Sequence, residues 1–275
     1  MKLLRVGQKG QEKPAALDKD GKIRDITSHI SDLNPDHLNF ETISKLQSAD
    51  LSSLPEISSS ERIGSCITKP GKFIAIGLNF SDHAAETGAE VPSEPITFMK
   101  ATSCINGPND DIEIVSGSKK LDWEVELGIV IGKHTKHISE AQSQDHILGY
   151  CLVNDISERE WQIEKMGQWV KGKSHDTYGP IGPYLVTKDE IADINNLKMS
   201  LDVNGQRMQT GNTNTMIFNV NVIVSYLSKF MSLQPGDIIT TGTPPGVGMG
   251  MKPQQFLKAG DTMRLSIENL GEQNS

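Results

Sequence analysis

Three carboxylates are the first groups in this 275-residue sequence whose types and spacing suggest chemistry. Glu124 and Glu126 stand two apart in Leu121-Asp122-Trp123-Glu124-Val125-Glu126-Leu127-Gly128-Ile129, where apolar Trp123, Val125, Leu127 and Ile129 alternate with them. That period of two predicts a strand with unlike faces, and side chains at i and i+2 of a strand share a face. Asp155 closes a second apolar run, 148–153. Neighbouring carboxylates repel unless a proton or a cation lies between them. Two Glu and one Asp offer hard oxygen ligands, which suit Mg²⁺ or Mn²⁺ rather than Zn²⁺. The same spacing also fits the solvated face of an amphipathic strand, and from spacing alone both readings stand.

A second constellation lies upstream. His83 and Glu86 are three residues apart in a predicted helix, 82–87, and so share a face. A carboxylate beside an imidazole raises its basicity and fixes its tautomer, as a general base requires; an ordinary surface pair has the same spacing. Arg159 and Gln162, three apart just after Asp155, could hold Asp155 or clamp a substrate carboxylate. Lys173 lies in a Gly-containing polar stretch, either solvated or turned toward an oxyanion.

The elements that must position these groups are mostly strands. Short strands are predicted at 2–6, 14–17 and 22–26, with an Asp18-Lys19-Asp20-Gly21 turn between the last two. A weak helix at 40–46 and a Ser-rich stretch, 47–60, follow, so 1–60 reads as a small N-terminal β domain and linker, and 67–275 as the main body. There, strands are expected at 72–77, 96–99, 111–115, 121–131, 148–153, 180–186, 197–203, 238–241 and 262–267. Ser81 is a candidate N-cap and Gly88 a stop for the 82–87 helix. Another helix is expected to begin at 157, and 171–176 is expected to be irregular. Asn204-Gly205 signals a type I′ hairpin, and Val220, Ile223, Val224, Leu227 and Met231 fall at helical spacing. The Gly-rich 242–250 loop lacks Gly-Lys-Ser/Thr and does not match G-x-G-x-x-G, so it is read as close packing around a pocket rather than a nucleotide loop. The polar, Pro-containing 85–95 segment is a candidate for a loop that closes over the site.

Composition bounds the rest. A formal charge of −8 with 36% hydrophobic residues describes a mildly acidic chain with no basic patch for nucleic acid. No secretory signal and no membrane-length apolar run are visible, and three cysteines without metal-site spacing read as reduced, buried thiols, so a cytoplasmic protein is expected.

Taken together these segments resemble the fumarylacetoacetate hydrolase superfamily. The resemblance rests on Gly77-Leu78-Asn79-Phe80-Ser81-Asp82-His83, Asp122-Trp123-Glu124-Val125-Glu126-Leu127, Asn154-Asp155-Ile156-Ser157-Glu158-Arg159, Lys173 and Thr241-Gly242-Thr243-Pro244, in that order over about 200 residues. The two ends of the chain are similar to a subgroup described as 2,4-didehydro-3-deoxy-sugar-acid (rhamnonate or fuconate) hydrolases, relatives of which are often labelled ureidoglycolate lyase. The resemblance implies a mainly β (α+β) fold, a mixed β-sandwich roll with a small N-terminal β domain, usually a homodimer. It implies Mg²⁺, or Mn²⁺, on Glu124, Glu126 and Asp155; His83 and Glu86 as the catalytic dyad, with Lys173; and substrate contacts from Arg159, Gln162, Lys173, Thr243 and Lys100. The upstream metal-ligand aspartate of the longer parent enzymes has no match here.

The implied activity is hydrolysis of the C3–C4 bond of a 2,4-diketo-3-deoxy sugar acid, or a similar β-diketo acid, to pyruvate and a small hydroxy acid. His83 would activate water and Lys173 would stabilise an oxyanion or enolate. Ureidoglycolate cleavage and oxaloacetate decarboxylation use the same site differently, and a non-catalytic keto-acid-binding metal protein is the reading from another class. The expected partner is a small anionic keto acid, with neither nucleic acid nor membrane.

Overall fold

The computed structural model describes residues 1–88 and 90–275; Ala89, inside the 85–95 segment expected to close over the site, lies outside the described residues. The fold is mainly β, and its centre is the antiparallel pair Val125–Ile131 and Ile147–Asn154. Both strands are buried along their whole length. The unlike-faced strand expected from Glu124 and Glu126 is therefore covered on both sides, and its polar positions face a closed site instead of solvent. It is also interrupted. Leu121–Asp122 pairs separately with Ser157–Glu158, and the long strand resumes at Val125.

The sheet grows outward from this pair. On one side Ile238–Thr240 runs antiparallel to Val125–Ile131, then parallel to Phe73–Gly77, and Ile96–Lys100 forms the edge. On the other side Leu185–Thr187 joins Ile147–Asn154 to Lys2–Val6, with Lys2 opposite Val186 and Leu3 opposite Leu185. The N-terminal strands thus continue the same 11-stranded sheet, and Leu3, Ile26 and Leu33 belong to the main core. The boundary expected at 60 is crossed by hydrogen bonds. A four-stranded sheet of Lys198–Val203, Gln206–Asn212, Met263–Ile267 and Gly271–Asn274 packs against the central pair. From it Gln209 accepts a bond from Val125 N at 3.0 Å, and Gln273 Nε2 donates to Leu152 O at 3.0 Å.

Local chemistry accounts for several elements and corrects others. Asn204 and Gly205 both take positive φ, as the type I′ signal requires. Asn219 caps Val220–Leu227 through Asn221 N and Val222 N. Helix Ser81–Thr87 stops at Gly88 in the left-handed region, but Ser81 is its first residue and the preceding Phe80 caps with no side-chain bond. No strand forms at 111–115. The helix expected from 157 is a two-residue strand followed by a π-helical turn, Glu160–Glu164, because Ser157 and Glu158 are drawn into pairing with Leu121–Asp122. The stretch expected to be irregular contains a one-turn helix, Val170–Lys173. Gly182-Pro183 splits 180–186 into Gly179–Pro180 and Leu185–Thr187. No helix among the described residues is long and apolar enough to cross a membrane.

The join between the N-terminal strands and the core depends on a close approach at Gly149. A Cβ there would stand 2.2 Å from Val186 O, a backbone atom that cannot move without breaking the sheet. Gly149→Ala is expected to destabilise the protein by about 2 kcal/mol or more, read as a lowered urea midpoint with unchanged slope. A midpoint equal to that of the wild type would show that the join is not tight.

Candidate active site

The pairing of the central strands places the acids. Val125 lies opposite Asn154, and Asp155 N donates to Glu124 O at 2.9 Å, so Glu124 and Asp155 face each other across the pair, with Glu126 next along the same face. Oxygens of all three lie within 4.8 Å of one another, and all three residues are buried. Like charges so placed need neutralising, and three cations supply it. Lys173 Nζ contacts Glu124 Oε2 at 2.5 Å and Asp155 Oδ2 at 2.7 Å. Arg159 donates to Glu124 Oε1 at 2.7 Å, to Asp122 Oδ2 at 2.8 Å and to Gln162 Oε1 at 3.0 Å. Lys100 Nζ meets Asp155 Oδ1 at 2.5 Å and also the Lys173 carbonyl.

Glu126 is treated differently from its neighbours. Among the described residues its carboxylate receives neutral donors, the Thr240 hydroxyl and Gly242 N at 2.9 Å. Burial, then the charges of Asp155 and Glu124, push its carboxyl well above the usual 4.5. For Glu124, burial pushes upward, but the Arg159 and Lys173 charges outweigh it and hold the carboxyl well below the usual range. Burial alone would lower the Lys173 ammonium, and Asp155 and Glu124 raise it instead, so it stays charged. With Asp122 included, four buried carboxylates stand against three buried cations. The missing positive charge is beside Glu126. A hard cation fits there in ligand type and in the sign of its charge.

The dyad arrives from the other side. Strand Phe73–Gly77 ends in a turn where Leu78 takes a φ of 47°. Buried Asn79 ties that turn to Thr241 O at 2.8 Å, and also to Phe218 O and N. Helix Ser81–Thr87 then presents His83, 8% exposed, with Nδ1 3.2 Å from Glu86 Oε2. Gly246 N donates to Glu86 at 3.1 Å, so the Gly-rich loop packs around the site rather than around a nucleotide.

His83, Glu124, Glu126, Asp155, Arg159, Gln162, Lys173 and Thr243 all line one cavity of about 300 Å³. The Thr243 hydroxyl is engaged within the protein, donating to Val125 O at 2.9 Å and accepting from Gln209 at 2.7 Å. Glu86 holds His83 from beside the cavity. Lys100 does not line the cavity. It lies behind Asp155, 1% exposed, with its ammonium bonded to Asp155 and the Lys173 carbonyl, which corrects its expected place as a substrate contact. Asp122 is the residue to which sequence reasoning gave no role. Its oxygens accept from Arg159, Trp123 N, Gly248 N and Met249 N, joining the strand, the arginine and the Gly-rich loop. Its place two residues before Glu124, on the same strand face, was the available signal. Trp169, Phe98 and Met249, also in the wall, carried none.

Comparison with known proteins identifies the family and the fold. The family model described as fumarylacetoacetate (FAA) hydrolase C-terminal matches residues 72–275. A Burkholderia ambifaria protein described as a hydrolase is 58% identical over 274 residues, covering 99% of this chain and 97% of that one. The solved fumarylacetoacetate hydrolase of Exiguobacterium antarcticum superposes with a TM-score of 0.88 at 34% identity, covering 100% and 98% of the two chains. Maleylpyruvate hydrolase of Sphingobium sp. SYK-6, solved with manganese(II) and pyruvate, gives 0.83 at 27% identity, covering 100% and 97%.

The charge imbalance can be tested at Glu126. Its folded pKa is raised, so its contribution to metal-free stability is fully present below the ordinary value near 4.5 and is lost as pH rises through the folded value. Metal-free Glu126→Gln is expected to lack that decline and to melt a few degrees above the wild type at neutral pH, while Mn²⁺ raises the melting temperature of the wild type only. A Glu126→Gln variant that Mn²⁺ stabilises as strongly as the wild type would remove Glu126 from the ligand set.

Proposed function

This chain belongs to the fumarylacetoacetate hydrolase family, and we propose that it is a metal-dependent hydrolase that cleaves the C3–C4 bond of a β-diketo acid and releases pyruvate. The observation that carries the reading is the junction in one cavity of the Glu124, Glu126, Asp155 and Lys173 floor with the His83–Glu86 pair. Mg²⁺ or Mn²⁺ held by the three carboxylates would supply Lewis acidity toward the substrate's oxygens. The manganese and pyruvate in the Sphingobium enzyme support that choice of ion and product.

The chain's own groups divide the remaining work. The Glu86 carboxylate accepts the Nδ1 proton of His83 and leaves Nε2 to take a proton from water. The water oxygen bonds to C4, the C3–C4 bond breaks, and its electron pair passes to C3 as the enolate of pyruvate. Protonated Lys173 faces that developing charge in a dry site. The proton held by His83 then returns to C3. Arg159 keeps Glu124 in place and, with Gln162, bounds the end that receives the substrate carboxylate.

The sugar acid implied by the sequence resemblance is one form of this reading, and the pyruvate-releasing core is common to every β-diketo acid. Oxaloacetate decarboxylation needs no attacking water, and the presence of the dyad favours hydrolysis over it. The proposal extends to a cytoplasmic homodimer that binds neither nucleic acid nor membrane. The sheet edge Ile96–Lys100, with Ile96 and Met99 exposed, supports a second copy there.

Purified protein with Mg²⁺ or Mn²⁺ should release one pyruvate per β-diketo acid consumed. No pyruvate above the blank from any member of a panel of such acids would sink the proposal. His83→Ala should lower kcat by about 10²-fold or more and leave Mn²⁺ binding by calorimetry intact; hydrolysis at the wild-type rate would remove His83 as the base.

A further inference from the structure

The cavity has two unlike halves. The charged and hydrogen-bonding side chains form the floor, where Glu124, Asp155, Arg159, Gln162 and Lys173 are linked by hydrogen bonds. The other lining side chains, including Ile76, Ile96, Phe98, Ile163, Trp169 and Met249, bear neither hydroxyl nor charge. Trp169 meets Phe98 edge to face, with ring centroids 5.2 Å apart. The indole reaches this position because residue 77 is glycine: a Cβ there would stand 2.5 Å from Trp169 Cζ3 and 3.5 Å from Ile96 Cγ2. Trp169 itself comes from the 163–171 excursion that joins two floor residues, Gln162 and Lys173.

A β-diketo acid bound with its carboxylate and 2-oxo oxygens at the floor directs its C4 substituent at this apolar wall. Hydroxyls on that substituent would lose water and find few partners, whereas methylenes would gain by burial. We infer that the substrate is a 2,4-diketo acid whose C4 substituent is apolar, a short alkyl or aryl group rather than a polyhydroxylated chain, and that Trp169 is the residue that selects it. The inference rests on the hydrolase reading above. A cavity of about 300 Å³ keeps the substituent small.

The test is a series of rates with Mn²⁺ on acetyl-, butanoyl-, hexanoyl- and benzoylpyruvate and on a 2,4-diketo-3-deoxy sugar acid. On the wild type, kcat/KM should rise about fourfold per added methylene over the first few carbons. The sugar acid should fall at least about tenfold below an alkyl chain of equal length. Trp169→Ala should bring the butanoyl-to-acetyl ratio close to one, and Trp169→Phe should keep most of it. Gly77→Ala, whose Cβ would stand 2.5 Å from the indole and so displace it, should lower the butanoyl-to-acetyl ratio as well. In parallel, simple 2-oxo acids of growing chain length should bind more tightly to the wild type by calorimetry, and not to Trp169→Ala. A sugar acid turned over as fast as the alkyl series, or a chain-length ratio that survives in Trp169→Ala, overturns the inference and leaves the hydrolase reading standing. Pyruvate from no member of the series overturns both.

Discussion

Everything at the centre of this protein depends on two carboxylates that face each other across a buried antiparallel pair. Glu124 and Asp155 are opposed by backbone register, so no side-chain rotation fully separates them. Leaving such charges unpaired in the interior costs several kcal/mol per ion. The fold meets that cost with cations from three distant segments: Lys100 on the edge strand, Arg159 after the strand turn and Lys173 on a one-turn helix. The neutralisation is incomplete, because among the described residues the donors to Glu126 are the neutral Thr240 hydroxyl and Gly242 N. Three buried carboxylates whose set is short of one positive unit are able to hold a hard cation.

The same need shapes the chain between 157 and 174. After Asp155 the backbone leaves the sheet, pairs briefly with Leu121–Asp122, makes a π-helical turn and returns through Val170–Lys173. Gly172 permits that return, since a Cβ on it would stand 2.4 Å from Glu158 O. Arg159 and Lys173, at either end of the excursion, are fixed by the carboxylates, and its middle is thereby suspended over the cavity with Trp169 inward and Met166 in solvent. Floor and wall are therefore one structural unit.

How much of this was legible in the sequence follows from the range of each interaction. Period-two spacing placed Glu124 and Glu126 on one face, and i,i+3 spacing joined His83 to Glu86, because both are consequences of local backbone geometry. Most strands, the Asn204-Gly205 hairpin and the Gly88 stop were legible for the same reason. Burial on both faces of Val125–Ile131 was not, since alternation looks alike whether the polar face meets water or a charge cluster. Nor was the pairing of Lys2–Val6 with Leu185–Thr187, a contact between segments far apart in the sequence that crosses the expected domain boundary. Lys100, matched by motif position alone, turned out to support Asp155 from behind. Trp169 lies in a polar, aperiodic stretch, and its role follows from the absence of a side chain at Gly77, nearly a hundred residues away.

Asp122 explains why the two halves of the chemistry stay in register. One of its oxygens holds Arg159, which holds Glu124. Both oxygens also receive the backbone of Gly248 and Met249, in the loop whose Gly246 N holds Glu86 against His83. One buried carboxylate thus links the charged floor to the His83–Glu86 pair by way of Arg159 on one side and the Gly-rich loop on the other. The Gly-rich loop suits this use because its amides must approach side-chain oxygens closely: a Cβ at Gly248 would lie 2.9 Å from Asp122 Oδ1, and one at Gly250 3.1 Å from Glu86 Oε2. Glycine is required there for its lack of a side chain. A loop that resembles a phosphate cradle in composition is instead the brace between the His83–Glu86 pair and the strand segment that carries Asp122.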